Sequence, residues 1–186
     1  LHENHMYELT ELSKGKRALR NKWVYKLKPG HAGNPPRYKT RILVKGFQQK
    51  KGVDFNDIFA SVVKMTSIRT VLSTMATMDL QVDQVDVKKT FLHGALEEEI
   101  YMQQLERLVK KGNENLVYRL KKSLYGLKQD PRQWYWKFDS FMTDHGYHKT
   151  HADHGMFVKK LDGGGFLILL LYVDDMLIVG RDPKKI

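Results

Sequence analysis

The feature that most constrains this chain is an apolar stretch interrupted by two adjacent carboxylates, Phe166–Gly180, with the sequence FLILLLYVDDMLIVG. The residues on either side of Asp174 and Asp175 are apolar and partly β-branched, which is typical of buried strands. A membrane-spanning helix needs roughly 18–20 uninterrupted apolar residues, and two central Asp residues exclude one here. The stretch therefore predicts a hairpin with strands at about 166–173 and 176–180 and both carboxylates at its tip.

Two adjacent anions at the tip of an apolar hairpin repel each other and lose part of their hydration. A divalent cation bound between them offsets both costs. The stretch therefore indicates either a metal site or an ordinary solvated Asp-Asp turn. The spacing alone does not separate these two interpretations.

The net charge of this 186-residue chain is +11, and it is distributed unevenly. Residues 1–64 contain 14 Lys and Arg against 5 Asp and Glu, a net charge of +9, which leaves +2 for residues 65–186. A basic N-terminal part predicts a polyanionic partner, above all nucleic acid. A charged surface that only aids solubility would have the same composition.

Several classes of protein are excluded by what the sequence lacks. The chain has no cysteine, which excludes disulfides, thiolate nucleophiles and cysteine-ligated zinc. No G-x-S-x-G motif or Walker-type glycine–lysine loop is present, so serine hydrolase and P-loop chemistry are not supported. No secretory or transit signal and no membrane segment is evident, and we expect a cytoplasmic or nuclear protein without a membrane partner.

Two strand patterns near the N-terminus predict a long hairpin. Alternating residues 23–28 and 38–44 flank a segment rich in turn residues that includes Gly33–Pro36. This alternation places Lys39 and Arg41 on one face of the second strand. Two cations on one face suit phosphate groups, although a solvated face has the same pattern.

The middle of the chain predicts a helix and then a strand. Thr66 or Ser67 caps a helix that runs to about Met78. Its apolar stripe predicts core packing and consists of Ile68, Val71, Leu72, Met75 and Ala76. The spacing of apolar residues in 80–87 favours a strand, and three acidic residues accompany it, Asp79, Asp83 and Asp86. Farther along, Glu97–Glu99 is either the acidic start of a short helix or a solvated run.

The C-terminal half predicts a strand over 116–121 followed by a helix. Asp130 at the N-cap and Pro131 at the first helical position begin this helix, and Gly146 ends it. Its apolar stripe consists of Trp134, Phe138, Phe141 and Met142. A further strand at about 155–160 joins the C-terminal hairpin in a three-stranded meander.

Carboxylates on apolar strands, together with a basic hairpin, suggest two-metal phosphoryl transfer. Two Mg²⁺ ions about 3.5–4 Å apart can activate an attacking 3′-oxygen and stabilise the departing pyrophosphate. Mg²⁺ prefers hard oxygen ligands, which Asp provides. A third carboxylate from a distant strand would be needed to hold both ions. The three upstream Asp residues are all candidates, and the residues alone do not choose among them.

A competing metal site of another class is suggested by four histidines spaced every third residue. They are His145, His148, His151 and His154, with Asp153 beside them. Imidazole clusters bind zinc or nickel. Gly146, however, breaks the helix that would align these side chains, and a surface loop explains the pattern equally well.

Six blocks of sequence, in this order, resemble the reverse transcriptase domain of copia-type LTR retrotransposon polyproteins. The blocks are NKWVYKLK, RYKTRILVKGFQQKKGVDF, VVKMTSIRTVL, QVDVKKTFLHGALEEEIYMQQ, LKKSLYGLKQDPRQWYWKF and LLLYVDDMLIVG. The tetrapeptide YVDD alone is a weak signal, but the ordered set is specific and covers almost the whole chain.

The resemblance implies an α+β fold, the fingers and palm of a right-hand polymerase, with an antiparallel palm sheet packed on helices. We expect one domain fragment over 1–186, with basic fingers in about 1–64 and the palm, with the remaining fingers elements, in about 65–186. Because the sequence stops just after the hairpin, we expect the thumb and any ribonuclease H domain to be absent. Without a thumb, processivity should be poor.

The resemblance assigns the metal-binding and catalytic roles to Asp86, Asp174 and Asp175, which would hold two Mg²⁺ ions, with Mn²⁺ as an alternative. This assignment selects Asp86 among the three upstream Asp residues. Phe91 matches the steric-gate position, where a bulky ring excludes a ribose 2′-hydroxyl. The implied activity is RNA-directed DNA polymerisation, with a primed RNA or DNA template and dNTPs as partners.

Further substrate-binding positions follow from the same resemblance. Gly126, Lys128 and Gln129 match the segment that lies against the template and incoming nucleotide. Arg41, and beside it Lys39, match fingers cations that grip the triphosphate. Tyr172, which immediately precedes the VDD turn, belongs to the same set. The predicted substrate-binding residues are therefore Lys39, Arg41, Phe91, Gly126, Lys128, Gln129 and Tyr172.

The chain also departs from the family's usual pattern. Lys89 and Thr90 stand where the family usually has Asn or Thr and then Ala, and they could crowd the pocket beside Phe91. Three further positions differ. This chain has Ser61 where the family usually has Pro, Ala95 where the family has Asp, and Asp130 where the family has Ala. These departures keep a second hypothesis open, a catalytically inactive nucleic-acid-binding remnant with the same fold.

Overall fold

The computed structural model describes residues 6–30, 35–106, 108–109 and 111–182. Within them the chain is a mixed α+β protein dominated by β-sheet, as the sequence predicted. The predicted turn at Gly33–Pro36 lies partly outside the described residues. Neither α-helix in the described ranges is both long and apolar enough to cross a bilayer.

The described secondary structure comprises strands, two α-helices and two short 3₁₀ helices at Gly46–Gln48 and Thr90–His93. The α-helices are α1 (Met65–Met78) and α2 (Asp130–Asp144). The strands are β1 (Tyr7–Thr10), β2 (Ala18–Leu19), β3 (Asn21–Lys28), β4 (Arg37–Val44), β5 (Gln81–Asp86), β6 (Ala95–Met102), β7 (Val117–Lys122), β8 (His148–Lys149), β9 (Met156–Lys160), β10 (Phe166–Tyr172) and β11 (Asp175–Gly180).

The chain forms two compact units, each built from two separate stretches of sequence. The first unit contains residues 1–58 and 91–133, and the second contains residues 59–90 and 134–186. Each unit has its own apolar core.

The first unit contains a four-stranded sheet in the order β1-β7-β6-β2 and a separate two-stranded sheet. Strands β1, β7 and β6 are antiparallel, and β2 runs parallel to β6. The core of this unit includes Leu19, Val44, Ile100 and Leu120, each at most 3 % exposed. The predicted strand at 116–121 is confirmed as β7.

The predicted N-terminal hairpin is confirmed in the first unit. Strands β3 and β4 pair antiparallel from Asn21 opposite Val44 to Lys28 opposite Arg37. Since side chains two apart lie on one face of a strand, Lys39 and Arg41 share a face, as predicted. The paired strands therefore form a basic ribbon, and their register determines which cations share a face.

The helix considered for Glu97–Glu99 is wrong, because these residues lie inside β6. The run from Ile100 to Met102 pairs with β7, Ala95 pairs with Lys122, and the acidic residues lie at the register shift between these two pairings. Glu99 Oε1 also lies 4.0 Å from Arg119 Nε on the neighbouring strand. Cross-strand cations thus accommodate negative charge that local sequence rules assign to a helix start.

The second unit is a five-stranded antiparallel sheet in the order β5-β11-β10-β9-β8. The predicted meander of three C-terminal strands is confirmed at its centre. The strand predicted over 80–87 is also confirmed, as β5 at the edge beside β11. Helix α1 packs on this sheet through Val71, which is in contact with a core that includes Leu170 and Val179.

Helix α1 begins earlier than predicted, and its capping group is remote in sequence. Its N-cap residue is Lys64, whose own side chain makes no capping hydrogen bond. The Lys64 N–H donates instead to Asp153 Oδ2 at 2.8 Å, and the Ser67 hydroxyl donates to the same oxygen. The predicted cap at Thr66 or Ser67 is therefore wrong, because a buried carboxylate from another loop fills that role.

The apolar stripes predicted for the two helices are confirmed in part. In α2, Trp134, Phe138 and Met142 are buried, whereas Phe141 is 53 % exposed and stacks on His145. Tyr135 is buried as well, so the buried stripe is shifted away from Phe141 toward Tyr135. In α1 the prediction is wrong for two positions that are exposed, Leu72 and Ala76.

Candidate functional site

The C-terminal hairpin carries the two adjacent carboxylates of the second unit. Tyr172 pairs with Asp175, so the turn consists of Val173 and Asp174, while Asp175 is the first residue of β11. Val173 has a φ of 59°, a left-handed conformation that is uncommon for a β-branched residue. The Trp134 indole N–H donates to Val173 O at 2.7 Å and holds this turn in place.

The third candidate carboxylate lies beside this turn. Asp86 is the last residue of β5, and its Cα is the register partner of Asp175 on β11. One residue further, the Val87 N–H donates to Asp174 O at 3.0 Å, so the pairing continues past Asp86. Three carboxylate-bearing residues therefore lie at the same end of two neighbouring strands.

The other two upstream Asp residues lie elsewhere. Asp79 is the C-cap of α1, with a φ of 52°. Asp83 pairs with Ile178, three residues along β5 from the end at which Asp86 lies. Since neighbouring strand residues alternate between faces, Asp83 and Asp86 also point to opposite faces of the sheet.

The three carboxylate residues at this end of the sheet are all exposed. They are Asp86, Asp174 and Asp175. At this end of the sheet, Gln84 Nε2 donates a hydrogen bond to Asp175 Oδ1 at 3.4 Å. Across the described ranges, no three His, Asp or Glu side chains form a metal-binding group. The structure thus brings the three backbones together without converging their carboxyl groups. The donor set itself, three exposed hard oxygen ligands, fits Mg²⁺ or Mn²⁺.

The histidine site is not supported. Its four histidines are all exposed and all lie in the described part of the chain, where no group of metal-ligating residues is found. His145 Nδ1 is 2.7 Å from Phe141 O in the preceding helical turn. Asp153 instead caps α1. Burial acts to raise the pKa of Asp153, but hydrogen bonds from Ser67 and Lys64 outweigh burial and lower that pKa.

In the first unit, the segment that carries Gly126 packs directly on the end of β4. The Val44 N–H donates to Tyr125 O at 2.8 Å. A Cβ atom at Gly126 would collide with Val44 O, and one at Gly46 would collide with Gly126 O. Gly126 also has a φ of 100°, which disfavours any other residue. Both glycines are therefore explained by close approach of the two backbones.

Gln49 organises the residues that follow Gly126, and the sequence analysis missed it. Its Oε1 accepts the Lys128 N–H at 2.7 Å, and its Nε2 donates to Gln129 Oε1 at 2.9 Å. Gln129 Nε2 donates in turn to Asp54 O at 3.0 Å. Gln49 and Gln129 are 4 % and 0 % exposed. No short motif marks Gln49, because its partners lie about 80 residues away.

This hydrogen-bond network gives two of the predicted substrate-binding residues, Gln129 and Lys128, different environments. Gln129 supports the segment from inside and does not present its amide to solvent. Lys128 is exposed, with its Nζ 4.8 Å from the centre of the Phe55 ring and 3.4 Å from Gln49 O. Lys128 is therefore the member of the pair with a charged group at the surface.

Two of the remaining predicted nucleotide contacts of the first unit, Phe91 and Arg41, meet at one aromatic ring. The Phe91 ring lies edge-on to the Tyr125 ring, with the centroids 5.5 Å apart. The Arg41 guanidinium carbon lies 5.7 Å from the same ring centroid. Lys39 is half-buried two residues before Arg41. In the second unit, Tyr172 is 54 % exposed at the end of β10.

The unusual residues at 89 and 90 form a tight turn directly after β5. Lys89 has a φ of 60°, and the Thr90 hydroxyl donates to Val87 O at 2.7 Å. Lys89 is exposed and Thr90 is buried. Thr90 thus closes the turn with a hydroxyl that the family's usual Ala lacks.

Comparison with known proteins gives a family match along nearly the whole chain. The model of the family described as reverse transcriptase (RNA-dependent DNA polymerase) matches residues 4–186. This match, with the relatives below, confirms the resemblance drawn from the six sequence blocks. No solved structure gives a significant match to the chain.

Several similar curated proteins are retrotransposon polyproteins from plants. The chain is 59 % identical, over all of its 186 residues, to the retrovirus-related Pol polyprotein from transposon TNT 1-94 of Nicotiana tabacum. It is 38 % identical over 162 residues, or 87 % of its length, to that from transposon RE1 of Arabidopsis thaliana. The chain spans 14 % of the first polyprotein and 11 % of the second.

Proposed function

Because the chain belongs to the reverse transcriptase (RNA-dependent DNA polymerase) family, we propose that it is part of a retrotransposon polymerase. It would add dNTPs to the 3′-end of a primer on an RNA or DNA template. The observation that carries this proposal is the pairing of Asp86 with Asp175 beside Asp174. In a right-hand polymerase, the second unit would contribute the palm and the first unit fingers elements.

In this proposal, Asp86, Asp174 and Asp175 hold two Mg²⁺ ions, with Mn²⁺ as an alternative. When bound, such ions activate the primer 3′-oxygen and neutralise charge on the departing pyrophosphate. The protein supplies three hard oxygen donors at one end of two paired strands. Trp134 stabilises the turn that carries Asp174, through its hydrogen bond to Val173 O.

The proposed nucleotide contacts lie in the first unit. Arg41 and Lys39 would bind phosphate oxygens of the dNTP, because two cations on one strand face match a polyphosphate. The Phe91 ring would exclude a ribose 2′-hydroxyl by its bulk. Lys128 would contribute an exposed cation against the template or nucleotide, on a backbone held by Gln49.

Primer extension on poly(rA)/oligo(dT) with Mg²⁺ tests the polymerase proposal. Asp174→Asn removes one anionic ligand and keeps the shape of the side chain, so we expect incorporation to fall by roughly a hundredfold or more. Asp162→Asn is the matched control, since Asp162 is an exposed residue of the turn between β9 and β10. Equal incorporation by wild type and Asp174→Asn would refute the assignment for this chain.

A second candidate function is nucleic-acid binding without catalysis. The observation that favours it is that the three carboxyl groups do not converge into a metal-binding group in the described structure. In that case the basic ribbon β3–β4 still binds a primed template, but the wild-type chain incorporates no dNTP. The same primer-extension experiment separates the two functions, provided that template binding is measured alongside.

A further inference from the structure

We propose that Tyr125 is a positioning residue that couples phosphate binding to sugar discrimination. Its ring would hold the Arg41 guanidinium and the Phe91 ring at a fixed separation, so that the triphosphate and the sugar gate are aligned. The inference rests on the proposed function and deepens it. Neither the six sequence blocks nor the family match assigns a role to Tyr125.

The Tyr125 ring contacts both the Phe91 ring and the Arg41 side chain. The Phe91 and Tyr125 rings meet at 81°, with centroids 5.5 Å apart, an edge-to-face arrangement that favours a defined orientation. The Arg41 guanidinium carbon lies 5.7 Å from the Tyr125 centroid, within the range of a cation–π contact. One ring therefore contacts both groups that the nucleotide would meet.

The backbone of Tyr125 is held independently of its ring. Its carbonyl accepts the Val44 N–H at 2.8 Å, and the following Gly126 packs against the Val44 backbone. Val44 lies three residues beyond Arg41 on the same strand. The backbone of Tyr125 is thus tied to the strand that carries Arg41, which places its ring beside Arg41.

Tyr125 is less buried than the leucines on either side of it. The neighbouring residues Leu124 and Leu127 are 2 % and 4 % exposed and belong to the core of the first unit. Tyr125 is only partly buried and is not a core residue. Removing its ring should therefore disturb the two groups that it contacts more than the stability of the unit.

The consequence is a specific kinetic effect. A steric gate discriminates through a clash whose size depends on the position of the sugar, and small displacements at a reacting centre have large effects on rate. If the Tyr125 ring is removed, Arg41 and Phe91 can move relative to each other. A ribonucleotide should then be accommodated more easily, and the dNTP should bind more weakly.

The test compares Tyr125→Leu with Tyr125→Phe, which keeps the ring. The first measurement is the ratio of kcat/KM for dTTP and UTP on poly(rA)/oligo(dT). The second is equilibrium binding of dTTP and UTP to the chain with a dideoxy-terminated primer and Mg²⁺. For Tyr125→Leu we expect the preference for dTTP to fall about tenfold in both measurements, and for Tyr125→Phe to stay within about twofold of wild type.

Two further variants make the test specific. Tyr25→Leu removes a ring that is 67 % exposed on the same unit and stacks on Trp23, and it should leave the sugar preference unchanged. In a Phe91→Val background, Tyr125→Leu should cause little further loss of selectivity, because the gate on which it acts is gone. Full additivity of the two substitutions would contradict the proposed coupling.

A folded Tyr125→Leu variant with wild-type sugar preference in both measurements would overturn the inference. Failure of the proposed function has a different signature, because it affects the wild-type chain. If wild type binds nucleotide without extending primers, the polymerase proposal fails and the binding ratio still decides on Tyr125. If wild type binds neither dTTP nor UTP, both proposals fail together.

Discussion

Asp130 shows how strongly one burial site can change the chemistry of a residue. At the start of α2 it is 2 % exposed, and its Oδ2 accepts the Leu127 N–H at 3.2 Å. Burial raises the pKa of this carboxyl to about 8, while the hydrogen bond from the Leu127 N–H acts in the opposite direction. Helix α2 begins at Asp130 itself, so the prediction of Asp130 as the N-cap and Pro131 as the first helical residue is wrong by one position. The Asp130 side chain bonds to the preceding segment. That segment carries the proposed substrate-binding residues.

This burial predicts that the stability of the chain falls as pH rises. The unfolded chain releases the Asp130 proton near pH 4, whereas the folded chain keeps it until about pH 8. Between these values the folded state binds more protons, so the free energy of unfolding decreases with pH and levels off above pH 8. The Asn side chain of Asp130→Asn cannot ionise, so the free energy of unfolding of this variant should lack the decrease with pH that Asp130 causes. We therefore expect the variant to gain stability relative to wild type, by a few kcal/mol, between pH 5 and pH 8.

Urea unfolding of wild type and Asp130→Asn at pH 5 and pH 8 measures the effect. Asp162→Asn, at an exposed position, is the control and should keep the wild-type dependence. Parallel pH profiles for wild type and Asp130→Asn would show that the carboxyl ionises normally in the folded chain.

At the scale of single elements, α1 depends on a residue outside its own sequence. Asp153 is 4 % exposed and accepts from the Lys64 N–H and the Ser67 hydroxyl at the helix N-terminus, while its other oxygen accepts from the Gly155 N–H. The helix has no acidic residue in its first turn and no side-chain cap of its own. A single carboxylate therefore satisfies donors that would otherwise be buried without a partner.

Removing this cap should destabilise the chain. Asp153→Ala leaves the Lys64 and Gly155 N–H groups without their acceptor, and we expect a loss of about 1–3 kcal/mol in the free energy of unfolding. Asp153→Asn keeps an acceptor oxygen and should lose less. Chemical unfolding followed by the helical circular-dichroism signal measures both values. If Asp153→Ala unfolds at the wild-type denaturant concentration, the cap is not a source of stability.

At the scale of the whole molecule, the excess positive charge is concentrated where the backbone forms a two-stranded ribbon. The register of β3 and β4 gives one face six cations and no carboxylate. These cations are Lys22, Lys26, Lys28, Arg37, Lys39 and Arg41. Such an array is suited to a row of phosphates, and its affinity should arise largely from counterion release.

Binding to a primed RNA–DNA duplex should therefore weaken steeply with salt. Lys26 and Lys39 are cross-strand partners, and the double variant Lys26→Ala/Lys39→Ala should reduce the slope of log K against log salt by about 1–2. Fluorescence anisotropy across a salt series measures the slope. Lys137→Ala/Lys160→Ala removes the same charge from exposed positions of α2 and β9 and should change the slope less. A flat salt response of wild type would argue against phosphate contacts.

Most elements of the fold could be predicted because their information is local. Alternation of apolar and polar residues predicted β3, β4 and β7, apolar runs predicted the strands of the C-terminal hairpin, and turn residues located their ends. The helix start considered for Glu97–Glu99 was wrong because a short acidic run has the same local pattern at a helix start and in a strand that lies beside cations. The cap of α1 was missed because Asp153 lies 89 residues from Lys64.

Local periodicity and ordered motifs in the amino-acid sequence were sufficient to predict the hairpin that carries Asp174 and Asp175, the basic ribbon and the family to which the chain belongs. The folded structure was needed to show that Asp86 pairs with Asp175, that Gln49 supports Lys128, and that Asp130 is buried. Each of these depends on backbone pairing or packing between segments about 80 residues or more apart, or on burial that no local pattern encodes. Such contacts arise only when the whole chain is folded.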